Sequence, residues 1–469
     1  MKKFIYSLPI LLIIQSCSFA PKFEQPELPI PSEYQNNEIK LKEELKDWKF
    51  YFEDENLTNL IDLALKNNKD IKKMLQNIEA ARALYGIQKA DELPNIGING
   101  GVSRSLVSKD LSLTQRQAHQ TVYNVNFGIS AWEIDFWGRI RNLKEVALEK
   151  YLSSIENQKA LQLSLISQIA NSYLIQREIE ERLQIAIKTT EIREKAVKIS
   201  EERFKVGSTS KIEVNQTMIL LLQAKSEVNN LKKMKMQNLN ALYLLIGTKA
   251  PENKLLLSDV EKYYSKEIPV GLSSELLTRR PDIMAMEHFL KSANAQIGVA
   301  RAAYFPNISL TAAFGQGSLE LNNLFDKPNH SWSLASTINL PIFTAGKISS
   351  NVDLTKAQKE AALNDYEKTI QTAFKEVSDV LSDRIWAKEQ LEIMKGMLDA
   401  QTERASLAQK RYEKGSASYL EILDSERERF NSEQSLIQIR RAYIASSINL
   451  FSSLGGSFIN EQKANNKKD

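Results

Sequence analysis

Residues 297–308 read Ile297-Gly298-Val299-Ala300-Arg301-Ala302-Ala303-Tyr304-Phe305-Pro306-Asn307-Ile308. Several of these residues occur a second time in the chain with the same spacing. The earlier copy lies 212 positions upstream and keeps the glycine, one alanine and the Pro-Asn-Ile step, as Gly86, Ala90 and Pro94-Asn95-Ile96. Further along, the separation is 208 and relates Gly138 to Gly346, Gly207 to Gly415 and Gly247 to Gly455. Such constant separations indicate an internal duplication, in which each half is one structural unit.

After each Pro-Asn-Ile step the hydrophobic period becomes two, which predicts β-strands. In residues 122–134, Tyr123, Val125, Phe127 and Ile129 alternate with polar or small residues, and residues 95–103 alternate likewise. Strands of about ten residues suit a tilted membrane span. Aromatic residues collect at the strand ends, as in an interfacial girdle: Trp132, Phe136, Trp137, Tyr304, Phe305 and Phe343. The alternation by itself also fits a soluble sheet with one buried face.

The predicted strands form two hairpins, at 94–134 and 306–342. Small membrane barrels need at least about eight strands, so two hairpins cannot close one. A membrane sheet therefore requires the chain to oligomerise.

The segment between Gly138 and Gly207 contains no proline, and its length predicts a helix of about 100 Å. Apolar residues recur there at coiled-coil spacing, for example at Ile166, Ile169 and Tyr173. Gly207 and Gly415 are expected to end two such helices in tight turns, after which serines can cap the returning helices. A long and strongly charged helix needs other helices beside it.

These patterns divide the chain into consecutive segments. We expect a signal peptide at 1–16, an N-terminal strap at 17–52, a first repeat at 53–247, a linker at 248–269, a second repeat at 270–455 and a polar tail at 456–469. The helical tips of the two repeats are expected near 207 and 415.

Composition argues against several functional classes. The chain has 62 Lys+Arg and 58 Asp+Glu, a net charge of +4, which offers no strong field for nucleic acid. One cysteine and three histidines argue against an internal disulfide, a cysteine-based zinc site or a histidine-rich metal centre. Because no nucleophile motif, P-loop or dinucleotide turn is found, we expect no catalysis and no cofactor apart from covalent lipid.

The first residues are typical of an export signal. Lys2 and Lys3 precede an apolar run to Ile14 that is too short for a membrane helix. The run ends Ile14-Gln15-Ser16-Cys17, which resembles a bacterial lipobox. We therefore expect a diacylglycerol and an N-palmitoyl group on Cys17 and an outer-membrane lipid anchor; the alternative is a chance cysteine after an ordinary signal peptide.

Several motifs together resemble the TolC/OprM outer-membrane factor family, and specifically its lipidated efflux-channel (NodT-type) branch. They are Trp48-x3-Phe52-x-Asp54-x2-Leu57, Leu276-Leu277-x-Arg279-Arg280-Pro281-Asp282-Ile283, the 297–306 stretch and Leu340-Pro341-Ile342-Phe343 before Gly346. The resemblance implies a mainly helical protomer, internally duplicated, that gives four strands to a trimeric 12-stranded outer-membrane β-barrel and helices to a long periplasmic α-barrel.

The turn at Gly415 leads into a cluster of candidate gate residues. Leu420 and Asp424 share a helix face, and Asp424 can pair with Arg427 at i, i+3. In a homotrimer, Leu420, Glu421 and Asp424 would form apolar and acidic rings, of which acidic rings select cations. The resemblance implies that these residues, with Tyr412, close the periplasmic aperture. The alternative is an ordinary surface ion pair.

The resemblance also implies partners. A periplasmic adaptor protein would dock at the two tips, at Gly207, Ser208, Gly415 and Ser416, and would connect the channel to an RND-type inner-membrane pump or an ABC exporter. The first functional hypothesis is the passive exit duct of a tripartite multidrug or small-molecule efflux system. The alternatives are the exit duct of a type I protein secretion system and a non-conducting periplasmic coiled-coil scaffold.

Overall fold

The structure is a computed structural model that describes residues 18–31, 48–112, 115–249, 256–260 and 278–456. The predicted signal peptide, Cys17, most of the linker at 248–269 and nearly all of the tail at 456–469 lie outside these residues. Within the described parts, no helix combines the length and the apolar character that a membrane crossing requires.

Each half of the chain runs helix, strand pair, long helix, turn and helix. The elements of the first half are α1 (Trp48–Tyr51), α2 (Glu55–Asn67), α3 (Lys69–Ala90), β1 (Ile96–Val107), β2 (Ala118–Glu133), α4 (Arg139–Lys205) and α5 (Lys211–Ile246). They are followed by α6 (Leu257–Val260), α7 (Pro281–Ala302), β3 (Asn307–Ser318), β4 (His330–Asn339), α8 (Lys347–Glu413) and α9 (Tyr419–Ser453). Short 3₁₀ turns lie at Lys109–Leu111, Leu321–Asn323 and Lys327–Asn329.

The duplication is visible in the bounds of the helices. Helices α4 and α8 have 67 residues each, which is about 100 Å at the usual helical rise. Both ends of α8 lie 208 positions after those of α4, and both ends of α7 lie 212 positions after those of α3. The two separations found in the sequence are therefore the separations of whole structural elements.

One predicted helix is in fact two. The helical spacing of residues 56–90 predicts a continuous helix, but the chain breaks at Asn68, whose backbone is extended (ψ 134°). The Asn68 side chain accepts from the amides of Asp70 and Ile71, and its amide group donates to the carbonyl of Leu245, 177 positions away. Hydrophobic periodicity does not show this break, because the break is made by a capping side chain, which starts α3 locally and is also held by a tertiary bond.

The strands form one antiparallel sheet in the order β1-β2-β3-β4. The central pair joins the two repeats, with Phe127 of β2 opposite Phe314 of β3. β1 and β2 extend beyond their predicted bounds, because their register continues as far as the pair Val107 and Ala118. Within this sheet β1 and β4 each have one neighbour, and every residue of β4 is exposed. Such edges are templates for pairing with another chain.

The described residues of 1–27, 77–155 and 285–366 form one compact unit, in which the strap is held by α4 and α7. Asn294 donates to the carbonyl of Pro21 at 2.7 Å, and Arg301 donates to that of Phe19 at 3.1 Å. The Phe19 ring stacks on Phe305, whose ring in turn stacks on Trp137. Part of the predicted aromatic girdle thus forms a stacked cluster that includes a residue of the strap.

The described residues of 28–76, 156–284 and 367–469 form a second compact unit. Asp54 caps α2 through the amide of Asn56, and its other carboxylate oxygen accepts from the hydroxyl of the fully buried Tyr173 at 2.7 Å. Arg280 of the Arg-Arg-Pro-Asp segment is buried and donates to Asp282, Glu376 and the carbonyl of Ser453. Two of the motifs that carry the family resemblance therefore supply a helix cap, Asp54, and a buried ion-pair residue, Arg280, to this unit.

Candidate functional site

Both helical tips are built by the same backbone geometry. Gly207 and Gly415 have φ values of 74° and 71°, in the left-handed region. After Gly207 the amide of Ser208 donates to the carbonyl of Arg203, and after Gly415 the amide of Ser416 donates to that of Arg411. This six-to-one bond is the Schellman ending, for which glycine is the favoured residue. All four predicted docking residues, at 207, 208, 415 and 416, are exposed.

The two returning helices are capped differently. The Ser210 hydroxyl accepts from the amide of Glu213 at 3.2 Å and caps α5. Ser418 occupies the corresponding position of α9, but its side chain makes no capping bond. The start of α9, which carries the candidate gate residues, therefore lacks a stabilisation of about 1 kcal/mol that the start of α5 has.

Asp424 lies between two arginines. Arg427 Nη2 contacts Asp424 Oδ1 at 2.5 Å, which is the pair that the i, i+3 spacing predicts. Arg404 Nη2, on α8, contacts Asp424 Oδ2 at 2.5 Å as well. Sequence reasoning missed Arg404, because it is 20 positions away and reaches Asp424 only through the packing of α8 against α9. Asp424 thus joins the two helices of the second tip.

Glu421 is held in the same way. Arg411 of α8 contacts Glu421 Oε1 at 2.6 Å and also donates to the carbonyl of Ser416 in the turn. Both carboxylates of the cluster are therefore neutralised within one chain. The predicted acidic ring would select cations through uncompensated carboxylates, so these arginines would weaken that selection.

Leu420 and Tyr412 lie in different surroundings. The Leu420 side chain is 53% exposed within one chain, so it is free to face other copies. Tyr412 hydrogen-bonds through its hydroxyl to Arg203 of the first tip, and its ring lies 5.3 Å from that of Tyr419. Burial, together with the nearby Tyr412 and Glu213, raises the pKa of the Tyr419 hydroxyl. Tyr412 therefore connects the two tips rather than joining the Asp424 cluster.

The exposure of the ion pairs of Asp424 and Glu421 limits how much they stabilise the tip. Side chains of the Asp424 and Glu421 pairs are between 35% and 56% exposed. Such pairs contribute at most about 1 kcal/mol each. A few weak, exposed ion pairs can hold two helix ends together and can also be released at low cost. Among the described residues, no His, Cys, Asp and Glu side chains are grouped so that they could hold a metal ion.

Comparison with known proteins decides the family. The model of the family described as "Outer membrane efflux protein" matches residues 60–248 and again residues 272–456. The chain belongs to the outer membrane efflux protein family. The two matches correspond to the two repeats, and the predicted relationship to this family of outer-membrane channels is confirmed.

Individual relatives match this chain over nearly the whole of its length. The solvent efflux pump outer membrane protein SrpC of Pseudomonas putida is 37% identical over 462 residues, which cover 96% of this chain and 98% of SrpC. A crystal structure of a membrane protein from Pseudomonas aeruginosa has a TM-score of 0.89 at 34% identity and covers 94% of this chain and 100% of its own. The open state of the Neisseria gonorrhoeae MtrE outer membrane channel has a TM-score of 0.85 at 32% identity. The match covers 94% of this chain and 98% of the MtrE chain.

These likenesses confirm the predicted fold class: a mainly helical, internally duplicated protomer with one four-stranded sheet, built like the protomers of outer-membrane channels. They also confirm the location in the outer membrane and the role as an outer-membrane component of an efflux system. The family is a transport family and not an enzyme family. The alternatives of a protein secretion duct and a non-conducting scaffold are not favoured by these comparisons.

Proposed function

We propose that this chain is the passive exit duct of a tripartite efflux system for small toxic organic molecules, and that the Asp424 cluster gates it. The observation that carries the proposal is that the likeness to solved outer-membrane channels extends over 94% of the chain. The whole protomer, and not one module, has the architecture of a channel. The name of SrpC as part of a solvent efflux pump favours small apolar substrates. The proposed duct performs no catalysis and uses no cofactor.

The assembly we propose is a homotrimer. The free edges of β1 and β4 support it, because each offers unpaired backbone groups to another copy of the same sheet. Three four-stranded sheets give the twelve strands that a barrel of this kind needs.

The partners we propose are a periplasmic adaptor and, through it, an inner-membrane pump of the RND type; an ABC exporter is the alternative. The exposed glycines and serines of the two tips, at 207, 208, 415 and 416, support docking there. Val206, beside the first tip, is 79% exposed and would add apolar area to such a contact.

We further propose that Cys17 carries the lipid. The stacking of Phe19 on Phe305 supports this, since it holds the strap two residues after Cys17 beside an aromatic cluster of the kind found at membrane interfaces. Labelled palmitate should be incorporated into the wild-type protein, and Cys17→Ala should abolish the incorporation because the thiol is the acceptor. Ser18→Ala, as the matched control, should keep it. A wild-type protein that takes up no label while reaching the outer membrane would contradict the assignment.

Deletion of the gene tests the function. Cells without the duct should accumulate hydrophobic dyes and become several-fold more sensitive to solvents and antibiotics, because the pump loses its outlet. A plasmid copy of the wild-type gene should restore resistance. Unchanged drug and dye accumulation, together with loss of a secreted protein from the medium, would instead support the type I secretion duct.

A further inference from the structure

Among the residues that the structure describes, the buried guanidinium of Arg193 forms no ion pair. Arg193 lies on α4 and is 8% exposed. Its Nη1 donates to the carbonyl of Leu220 at 2.7 Å, whereas its Nη2 is buried and has no hydrogen-bond partner among the described residues. The guanidinium also lies over the ring of Phe430, 5.2 Å from the ring centre. A buried cation that is bonded to one carbonyl and one ring retains much of the cost of leaving water.

The nearby carboxylates are already paired with other arginines. Glu227 contacts Arg182 at 3.0 Å, and Glu426 contacts Arg429 at 2.6 Å. Burial lowers the pKa of Arg193, and the charge of Glu426 offsets this only in part. The charged side chains that line the cavity beside Arg193 are two arginines, Arg193 and Arg427, and one glutamate, Glu227.

A cavity of about 450 Å³ adjoins this guanidinium. Besides Arg193 it is lined by Arg427, by the carboxylate of Glu227 and by the ring of Phe430. The other lining groups are the amides and hydroxyl of Gln223, Asn431, Gln434 and Ser435. A second guanidinium and several neutral donors surround the space, together with one carboxylate that is already bound to Arg182. Guanidinium and amide donors are the groups that bind carboxylates and phosphates. Because Arg193 is covered by its own chain, an ion small enough to enter the cavity is better placed to neutralise it than the surface of another subunit.

We propose that this cavity, lined by residues of α4, α5 and α9, binds a small oxyanion that neutralises Arg193. The ion would take hydrogen bonds from Arg193 and from the amide groups of the lining. Arg427 belongs both to this cavity and to the Asp424 cluster, but the proposal rests on Arg193 and does not depend on the assignment of the gate.

The experiment uses the full-length protein, purified as it assembles in detergent, with inorganic phosphate as the probe. Equilibrium dialysis should find about one phosphate bound per chain. Phosphate should also raise the unfolding temperature by about 2 °C or more relative to chloride at equal ionic strength, because binding to the folded state stabilises it. Arg193→Met should remove both effects. Lys225→Met, which removes an exposed lysine of α5 paired with Glu194, should keep both.

A second variant covers the case in which Arg193→Met fails to fold. Gln223→Leu keeps both arginines but replaces one lining amide with an apolar side chain, and it should weaken phosphate binding several-fold. Absence of phosphate binding by the wild-type protein would overturn the proposal and leave the cavity to water or to a side chain of a neighbouring subunit. Equal phosphate binding by Arg193→Met would also overturn it.

Discussion

Replacing Leu420 and Asp424 together by alanine should raise the conductance of the resting channel about tenfold or more. Without Asp424, Arg404 and Arg427 lose the carboxylate that holds α8 to α9 and repel each other instead. Without Leu420, the constriction loses an apolar side chain that resists wetting. Each exposed ion pair contributes at most about 1 kcal/mol, but the change occurs in every subunit, so a total of one to a few kcal/mol corresponds to about tenfold or more.

Single-channel recording in planar lipid bilayers measures this conductance directly. Glu392→Ala is the matched control, because it removes an exposed ion pair with Lys395 elsewhere on α8 and should leave the conductance unchanged. Arg404→Ala tests whether the bond between Arg404 and Asp424 helps to close the channel. If it does, as the structure indicates, the conductance should rise in part. If Asp424 acts through Arg427 alone, as the sequence pattern predicts, the conductance should not change. An unaltered conductance of the Leu420→Ala, Asp424→Ala protein would remove these residues from the gate.

Alanine at Gly128 or Gly315 should prevent assembly of the membrane sheet. A methyl group at Gly128 would overlap the carbonyl oxygen of Ala312 on β3, and one at Gly315 would overlap that of Val125 on β2. Both contacts involve backbone atoms of the strand pair that joins the two repeats, so no side-chain rotation can relieve them. We expect the amount of assembled channel in the outer membrane to fall about tenfold or more, since overpacking against backbone costs several kcal/mol.

The amount of assembled channel can be followed by quantifying the oligomer in outer-membrane fractions on gels without heating. Gly317→Ala provides the control within the same pair of strands, because its methyl group would lie 3.7 Å from the carbonyl oxygen of Tyr123, an ordinary contact. This variant should assemble normally. If Gly128→Ala and Gly317→Ala assembled equally well, the close approach of β2 and β3 would be wrong.

Some features of the molecule were accessible from the sequence for local reasons. The period of two after Pro94 and Pro306 indicated the strands, and glycines at a separation of 208 marked the turns at Gly207 and Gly415. The pairing of Asp424 with Arg427 followed from helical geometry, because residues three apart face the same side. For the strands and the ion pair the signal lies within a few residues of the feature, and for the turns it is the glycine itself, repeated in both halves.

Other features depended on partners distant in sequence. Arg404 meets Asp424 across 20 positions, and Tyr412 meets Arg203 across 209. The amide group of Asn68, whose oxygen caps α3, donates to Leu245 across 177 positions. Two arginines that pair with the carboxylates of the gate cluster, Arg404 and Arg411, come from the neighbouring helix α8 and have no local trace beside Asp424 or Glu421.

By itself, then, the sequence determined the duplication, the order and type of the elements, the turn positions and the family. Periodicity, glycine and proline act on the local backbone and leave a trace in adjacent residues. Only the tertiary structure decided which charges meet, how β2 pairs with β3, and that Arg193 is buried beside a cavity. These properties depend on how helices and strands pack, and the register of that packing is set by many weak contacts between distant residues rather than by a local pattern.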